Sequence, residues 1–266
     1  MYRFLYSPRW IGFHLLVIFG IVLMINLGFW QLRRLDEKQA LNAQIASRID
    51  LPPEPLDSVL VPGADPDDLE WRPVEASGRY LPDEELHVVN RSQGGIAGDM
   101  VVTPLELDDG RVLLVERGFV PLGIDPAAAP TGDVDIVGRL RSSQVRRRGQ
   151  LSDTSSGELT EAQRLDIPRL TPQLPGTPVP MYVELTASRP AEQVPYPQPV
   201  AVPEQSEGPH LGYAVQWFIF SIAVGVGWVF AVRKSLSARR AMPPGSPPTD
   251  GASPMAAAGA PPSSPG

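Results

Sequence analysis

Two apolar stretches, at residues 11–30 and 211–232, constrain the fold of this 266-residue chain more than any other feature. Each has about the 20 residues that an α-helix needs to cross the hydrocarbon core of a bilayer. The first exceeds the roughly 7–15 apolar residues of a secretory signal, and no small-residue cleavage site follows it. We therefore expect two retained transmembrane helices with a folded domain between them.

Basic residues beside the second stretch predict the orientation of the chain. Four of them follow it within residues 233–240, whereas residues 190–210 contain no Lys or Arg. Because cytoplasmic flanks carry an excess of Lys and Arg, we expect the C-terminal tail, residues 233–266, in the cytoplasm. Two spans then place residues 1–10 in the cytoplasm as well, and residues 31–209 form an extracytoplasmic domain.

The distribution of charge agrees with this division and excludes some classes of partner. Residues 33–209 contain 17 basic and 29 acidic residues, a net charge of −12, whereas the rest of the chain has a net charge of +5. Phosphate backbones bind to basic surfaces, so no nucleic-acid partner is expected. The chain has no cysteine, which excludes disulfides and metal–thiolate sites.

The middle section has the pattern of short strands. Residues 108–110, Asp-Asp-Gly, separate two apolar runs and predict a β-hairpin. We expect an antiparallel β-barrel or sandwich-like domain with one or two short helices, one of them at residues 159–170. The expected strands are residues 72–80, 85–90, 100–107, 111–120, 134–141 and 181–187.

Three further segments have clear patterns. Leu41, Ile45 and Ile49 recur every fourth residue, so the first helix is expected to continue past the membrane and to pack this stripe on the domain. Residues 51–68 are rich in Pro and Asp and predict a loop. The Pro-, Gly-, Ala- and Ser-rich residues from 241 onward are expected to be disordered.

His210 opens the second apolar stretch and is the first candidate site residue. On a helix it shares a face with small and aromatic side chains, namely Ala214, Trp217, Ser221, Gly225 and Trp228. Small residues permit close approach of a neighbouring helix or of a flat ligand, and the imidazole could ligate a metal such as haem iron. Alternatively, His210 is an interfacial residue above an aromatic belt.

The corresponding end of the first stretch carries a second polar cluster. Asn26, Trp30 and Arg33 share a face, with Gln31 and Arg34 beside it. The arginines could pair with the carboxylates of an amphiphilic ligand. Alternatively, they extend to phospholipid head groups.

The remaining candidates point to no enzyme. His14 and His87 have no metal-site spacing with each other or with His210 and are interpreted as interfacial and structural. The glycine-rich residues 94–98 lie between strands and make a poor phosphate loop, and Arg146 to Arg148 are interpreted as a solvated loop. No hydrolase motif occurs.

Several motifs resemble one known family. The sequence LGFWQLRRLDEK at residues 27–38 resembles the signature that closes the first span in the Surfeit-locus family of cytochrome c oxidase assembly factors. Three blocks follow in the same order: GRY at 78–80, VVTP at 101–104 and VERGFVP at 115–121. HLGYAVQWF at residues 210–218 resembles the block that opens the second span.

The resemblance implies a non-enzymatic assembly factor in a bacterial plasma membrane. It implies haem a, at least transiently bound, as cofactor, and the oxidase catalytic subunit, the haem a synthesis machinery and membrane lipid as partners. The family's haem-linked histidine corresponds to His210, and its motif positions include Gly28, Gln31, Gly78 and Gly118. Two departures are Pro209, where an asparagine often precedes the histidine, and the absence of an aromatic-rich segment around residues 152–159.

Two functional hypotheses follow. In the first, His210 ligates haem a at the outer leaflet, Tyr213, Trp217 and Trp30 line the pocket, and Arg33 and Arg34 contact the propionates. In the second, the protein is a haem-free scaffold that stabilises the nascent oxidase subunit through its helices and domain. A membrane-anchored enzyme ranks last, because the sequence contains no nucleophile–base or metal-ligand cluster.

Overall fold

The computed structural model describes residues 3–193 and 195–240, so the tail expected to be disordered from residue 241 lies outside the described residues. The chain divides into two compact units. We call the first unit, which consists of Met1–Leu35 and Gly208–Gly266, the helical unit. We call the second unit, Asp36–Glu207, the β domain.

Helix α1, Pro8–Arg48, has 41 residues and follows a short 3₁₀ turn at Arg3–Tyr6. Its length confirms the prediction that the first helix continues well past residue 30. Of the expected stripe only Ile45 is buried; Leu41 is exposed and Ile49 lies beyond the end of the helix. The stripe prediction is therefore wrong for Leu41, whereas Ile49 is half-buried just after the end of the helix.

Nine strands form one sheet in the β domain. The six longer strands coincide with the six predicted runs, which confirms these predictions. The turn at residues 108–110 joins two antiparallel strands and confirms the predicted hairpin. The strands are β1 (Glu54–Pro55), β2 (Pro73–Tyr80), β3 (Leu86–Gln93), β4 (Ile96–Leu107), β5 (Arg111–Pro121), β6 (Asp133–Ser142), β7 (Glu161–Ala162), β8 (Thr177–Pro178) and β9 (Met181–Arg189).

Five of these strands close into a barrel. The pairings run β2–β6–β9–β5–β4, and β4 pairs again with β2 to complete the ring. Gly78 permits this closure, because a Cβ there would lie 2.2 Å from the carbonyl oxygen of Glu106 on β4. β3 and β7 extend the sheet beyond β4.

The sheet is mixed, and the expectation of a purely antiparallel sheet is wrong. β9 pairs antiparallel with β6 and parallel with β5. A strand inserted between two strands of opposite direction must be parallel to one of them, which is the physical reason for the difference. The short strands β1, β7 and β8 also pair in parallel.

Two apolar cores follow from the alternation of side chains along the barrel strands. All five ring strands contribute to the first, which therefore fills the barrel interior and includes Leu105, Val115 and Ile136. The second core lies on the outer side of β4 and β5 and includes Val102 and Leu114. Deep burial of both explains how the domain folds without disulfides.

The short helices differ from the predictions. The helix expected at residues 159–170 is only a single turn, α4 (Ile167–Leu170), and β7 occupies the first part of the expected range. Asp166 caps this turn, Pro168 is its second residue, and the chain then passes into a 3₁₀ turn at Thr171–Gln173. The loop expected at residues 51–68 also contains short elements. The single-turn helices are α2 (Leu56–Val59), α3 (Pro66–Leu69) and α4 (Ile167–Leu170).

A buried arginine anchors the proline-rich segment that follows β9. The guanidinium of Arg117 pairs with Glu192 at 2.6 Å and with Glu85 at 3.0 Å, and its side chain is fully buried. On the next two residues of β5, Phe119 exchanges two main-chain hydrogen bonds with Gln198, and Gly118 leaves room for the Gln198 carbonyl. The segment is thus fixed to the barrel at the family-motif block 115–121.

Helix α5, His210–Arg240, completes the described chain. Both α1 and α5 are long and apolar enough to cross a membrane. In the helical unit α5 packs against the first part of α1, since a Cβ at Gly28 would lie 2.6 Å from the ring of Phe218. The predicted span limits, 11–30 and 211–232, stay predictions.

Candidate functional site

The first residue of α5 contacts α1 through a side-chain hydrogen bond. His210 Nδ1 lies 2.8 Å from Gln31 Oε1, and His210 is half-buried. Gly208 lies near the other ring nitrogen, since a Cβ there would be 3.5 Å from His210 Nε2. The helical unit therefore brings together two of the sequence-predicted residues, His210 and Gln31.

This hydrogen bond sets the protonation of the imidazole. An amide oxygen only accepts hydrogen bonds, so Nδ1 carries the proton and donates it to Gln31. In the neutral imidazole, Nε2 then keeps its lone pair. Histidines that ligate metals have this arrangement, in which one nitrogen is fixed by a carbonyl oxygen and the other faces the metal.

The expected face of small and aromatic residues on α5 is a helix-packing face. Ala214 and Ser221 are buried, and a Cβ at Gly225 would contact Ile21 of α1 at 3.9 Å. The neighbouring helix that this face admits is α1. Trp217 on the same face is half-buried and meets Phe220 edge-on.

The other predicted site residues lie on the exposed surface of the helical unit. Trp30 is exposed, and the guanidinium of Arg34 lies 5.7 Å from the centre of its ring. Arg33 and Tyr213 are exposed as well. Asn26 donates its amide hydrogen to the Val22 carbonyl within α1, which satisfies this polar group inside its own helix.

A second polar contact joins the opposite ends of the same two helices. Trp228 Nε1 donates a hydrogen bond to His14 Nδ1 at 2.9 Å, and the rings meet edge-on. The sequence predicts His14 only as an interfacial residue and does not indicate this pair. The position of Trp228 on the packing face of α5 is the sequence feature that points to this contact.

The motif glycines of the β domain have structural roles and lie far along the chain from the helices. Gly78 permits barrel closure, and Gly118 has a φ of 149° where Gln198 passes close to it. His87 lies in β3, where its main-chain nitrogen bonds to Thr160. Within residues 3–193 and 195–240 no group of three or more His, Asp or Glu residues could hold a metal ion.

The outer face of the barrel carries a buried cluster of charged side chains that the sequence did not predict. Glu184 pairs with Arg141 at 3.0 Å and with Arg139 at 3.3 Å. Glu116 lies nearby on β5, and burial raises its pKa to about 7, with a further rise from Glu184 that Arg91, Arg141 and Arg139 oppose. The sequence shows these residues only as charges within strand-like runs.

Comparison with known proteins gives a consistent result. The sequence model of the SURF1 family matches residues 18–222, a range that includes both Gln31 and His210. An uncharacterized SURF1-like protein of Mycobacterium bovis is 31% identical over 258 residues, which cover 93% of this chain and 92% of that protein. A SURF1-like protein of Monosiga brevicollis is 28% identical over 257 residues, covering 90% of this chain and 95% of its own length. Human Surfeit locus protein 1 is 33% identical over 150 residues, which cover 47% of this chain and 48% of the human protein.

Proposed function

The chain belongs to the SURF1 family, whose members are generally cytochrome oxidase assembly factors, and on that premise we propose that it binds haem a and helps to insert it into the oxidase catalytic subunit. The observation that carries this proposal is the hydrogen bond from His210 Nδ1 to Gln31 Oε1. In the neutral imidazole it leaves Nε2 as the nitrogen with a free lone pair, as a haem-ligating histidine requires.

Each residue of the site has a separate task in this proposal. When bound, haem a supplies an iron that accepts the lone pair of the His210 imidazole. Gln31 holds the ring in one tautomer and one orientation. The exposed aromatic rings of Trp30 and Tyr213 offer apolar surface to a flat macrocycle, and the half-buried ring of Trp217 adds to this surface.

Arg33 and Arg34 are the residues that would contact the propionates. Both side chains are exposed on α1, within one helical turn of Gln31. A guanidinium matches a carboxylate with two parallel hydrogen bonds, so two arginines suit a ligand with two propionates. This placement would also hold the amphiphilic ligand with its charged edge away from the apolar part of the helices.

The proposal includes a membrane location for the helical unit. Gln31 and His14 are 17 residues apart on α1, which is about 26 Å along an α-helix. This spacing is close to the thickness of the hydrocarbon core, about 30 Å. The two cross-helix contacts would therefore lie near opposite membrane interfaces, with both termini in the cytoplasm of a bacterium and the β domain outside.

An absorption spectrum tests the proposal. The full-length protein is purified in mild detergent from cells that make haem a, and from matched cells that make only protohaem. We expect a bound haem with a haem a spectrum from the first cells. We also expect deletion of the gene to lower the haem a content of the purified oxidase.

The opposite result would support the scaffold hypothesis. Protein that purifies without haem from both cell types, and that still restores oxidase assembly to the deletion strain, would overturn haem binding. It would leave the assembly function to the helices and the β domain.

A further inference from the structure

A groove lined by arginines opens on the β domain, an otherwise acidic part of the chain. It has a volume of about 860 Å³ and lies between β3, β6 and the loop at residues 145–151. Two carboxylates, Asp67 and Glu70, reach its edge. We call it the arginine groove, and its basic residues are Arg91, Arg141, Arg146, Arg147 and Arg164.

The lining of the groove is basic, whereas the domain around it is acidic overall. Residues 33–209 contain 17 basic and 29 acidic residues, yet five arginines and only two carboxylates line this groove. Concentrated charge of one sign in a concave surface raises the local potential and attracts ligands of the opposite sign. The groove is therefore a candidate binding site for an anion.

Among the described residues, three of these arginines form no ion pair with a carboxylate. Arg91 donates to the Gln163 carbonyl at 3.0 Å and to Gln144 Oε1 at 3.4 Å, and Arg146 donates to the Gln150 carbonyl at 3.2 Å. In the part of the chain that the structure describes, no Asp or Glu forms an ion pair with Arg91, Arg146 or Arg147. Neutral oxygens orient Arg91 and Arg146, and the charge of Arg91 is partly balanced by the buried Glu116, whereas no carboxylate forms an ion pair with Arg146 or Arg147 among the described residues.

Stacking and hydrogen bonds hold the side chains at the floor of the groove. The guanidinium of Arg141 stacks on the Trp71 ring at 3.7 Å from its centre. Gln144 donates to the Tyr182 hydroxyl at 2.9 Å while it accepts from Arg91. Ser142 Oγ, at the same floor, is buried and has no hydrogen-bond partner among the described residues.

We propose that the arginine groove binds an acidic peptide segment of a partner protein. Carboxylates are the complementary groups for guanidinium side chains, which bind them bidentately. The groove also has an apolar rim, since Val145 is 76% exposed and Leu151 is 68% exposed. A free inorganic anion would use only the charges, whereas a peptide would use the charges together with this rim.

This inference stands apart from haem binding, because all of its residues lie in the β domain and none in the helical unit. It adds a docking surface to the assembly function and names the chemistry of the segment that the surface accepts. Failure of one proposal leaves the other unaffected, since the binding measurement below contains no haem.

Fluorescence anisotropy with two labelled peptides tests the inference on the full-length protein in neutral detergent. The probe is a 12-residue peptide that alternates Asp or Glu with Leu, and its control replaces each acid by Asn or Gln. We expect saturable binding of the acidic peptide that weakens as salt rises, and no saturable binding of the neutral peptide. Inorganic phosphate is added as a competitor.

Two double variants identify the surface. Arg146→Gln with Arg147→Gln changes only the exposed loop and is expected to weaken binding about tenfold, because two charge contacts are lost. The matched control, Arg79→Gln with Arg189→Gln, also removes two arginines of the domain but none from the groove, and is expected to bind within twofold of wild type.

Each alternative result overturns the inference. Equal losses in the two double variants would mean that binding follows net charge alone. Equal binding of the neutral peptide would exclude a role for the arginines. Complete competition by phosphate at the peptide's own concentration would mean that the groove is a site for a small oxyanion, and the absence of saturable binding would mean that its charges serve the fold alone.

Discussion

His210 on α5 donates its Nδ1 hydrogen to Gln31 Oε1 on α1 across 2.8 Å. One amide side chain thereby fixes which imidazole nitrogen is available to a ligand. Gln31 belongs to the motif that closes the first apolar stretch, and His210 belongs to the motif that opens the second. The hydrogen bond gives the glutamine of the first motif a physical role.

The first prediction concerns the acceptor of this hydrogen bond. Gln31→Leu is expected to weaken haem binding about 10- to 100-fold, because the imidazole loses the partner that orients it. Gln31→Glu is expected to keep binding, since a carboxylate accepts the same hydrogen bond. A titration of haem followed by absorbance measures both. Wild-type affinity in Gln31→Leu would show that the amide does not orient the ligand.

The second prediction concerns the contact at the other end of the helices. A double-mutant cycle of His14→Ala and Trp228→Phe is expected to give a coupling energy of about 0.6 kcal/mol, typical of side-chain hydrogen bonds between membrane helices. Unfolding of the full-length protein in mixed detergent measures it. Additive effects of the two substitutions would contradict a specific hydrogen bond.

The third prediction concerns the arginine that anchors the segment after β9. Arg117→Met is expected to lower the free energy of unfolding by about 3–5 kcal/mol, because Glu85 and Glu192 then lose their buried counter-ion. Urea denaturation followed by circular dichroism measures the loss. The control is Arg79→Met, whose exposed pair with Asp133 should be dispensable. Similar effects of both substitutions would refute the anchoring role.

The fourth prediction is a dependence of stability on pH. The pKa of Glu116 in the folded protein is about 7, above its ordinary value of 4.5, and the facing charges are Glu184, Arg91, Arg139 and Arg141. A raised carboxyl pKa contributes stability that is complete below pH 4.5 and is lost as pH rises through 7.

Glu116→Gln stays neutral and should avoid this loss. We expect it to be more stable than wild type by about 3 kcal/mol at pH 8 and equal to it near pH 4.5. Melting temperatures across this range measure the difference, and the exposed Glu75→Gln serves as the control. A constant difference between Glu116→Gln and wild type at all pH values would contradict the raised pKa.

Local patterns predicted the strands of the β domain well. Alternating apolar residues and the Asp-Asp-Gly turn at residues 108–110 act within a few residues, so the sequence shows them directly. Barrel closure between β2 and β4 and the parallel pairing of β9 with β5 were not predictable in this way. They join segments far apart in the chain, and no local pattern encodes which strands become neighbours.

The same limit applies to the candidate site. The sequence indicated His210 through its position at the start of an apolar helix, and the family motifs drew attention to Gln31. That the two side chains bond depends on the register of α1 against α5, which close packing at Gly28 and Phe218 helps to set. The contact of His14 with Trp228 depends on the same register and was missed for the same reason.

The haem content of His210→Ala tests the central claim most directly. The variant and the wild type are purified in parallel from cells that make haem a, with His87→Ala as a control that removes a histidine of the β domain. We predict that His210→Ala purifies intact without haem, whereas wild type and His87→Ala retain it. Equal ratios of haem to protein in all three would contradict the assignment of His210 as the ligand.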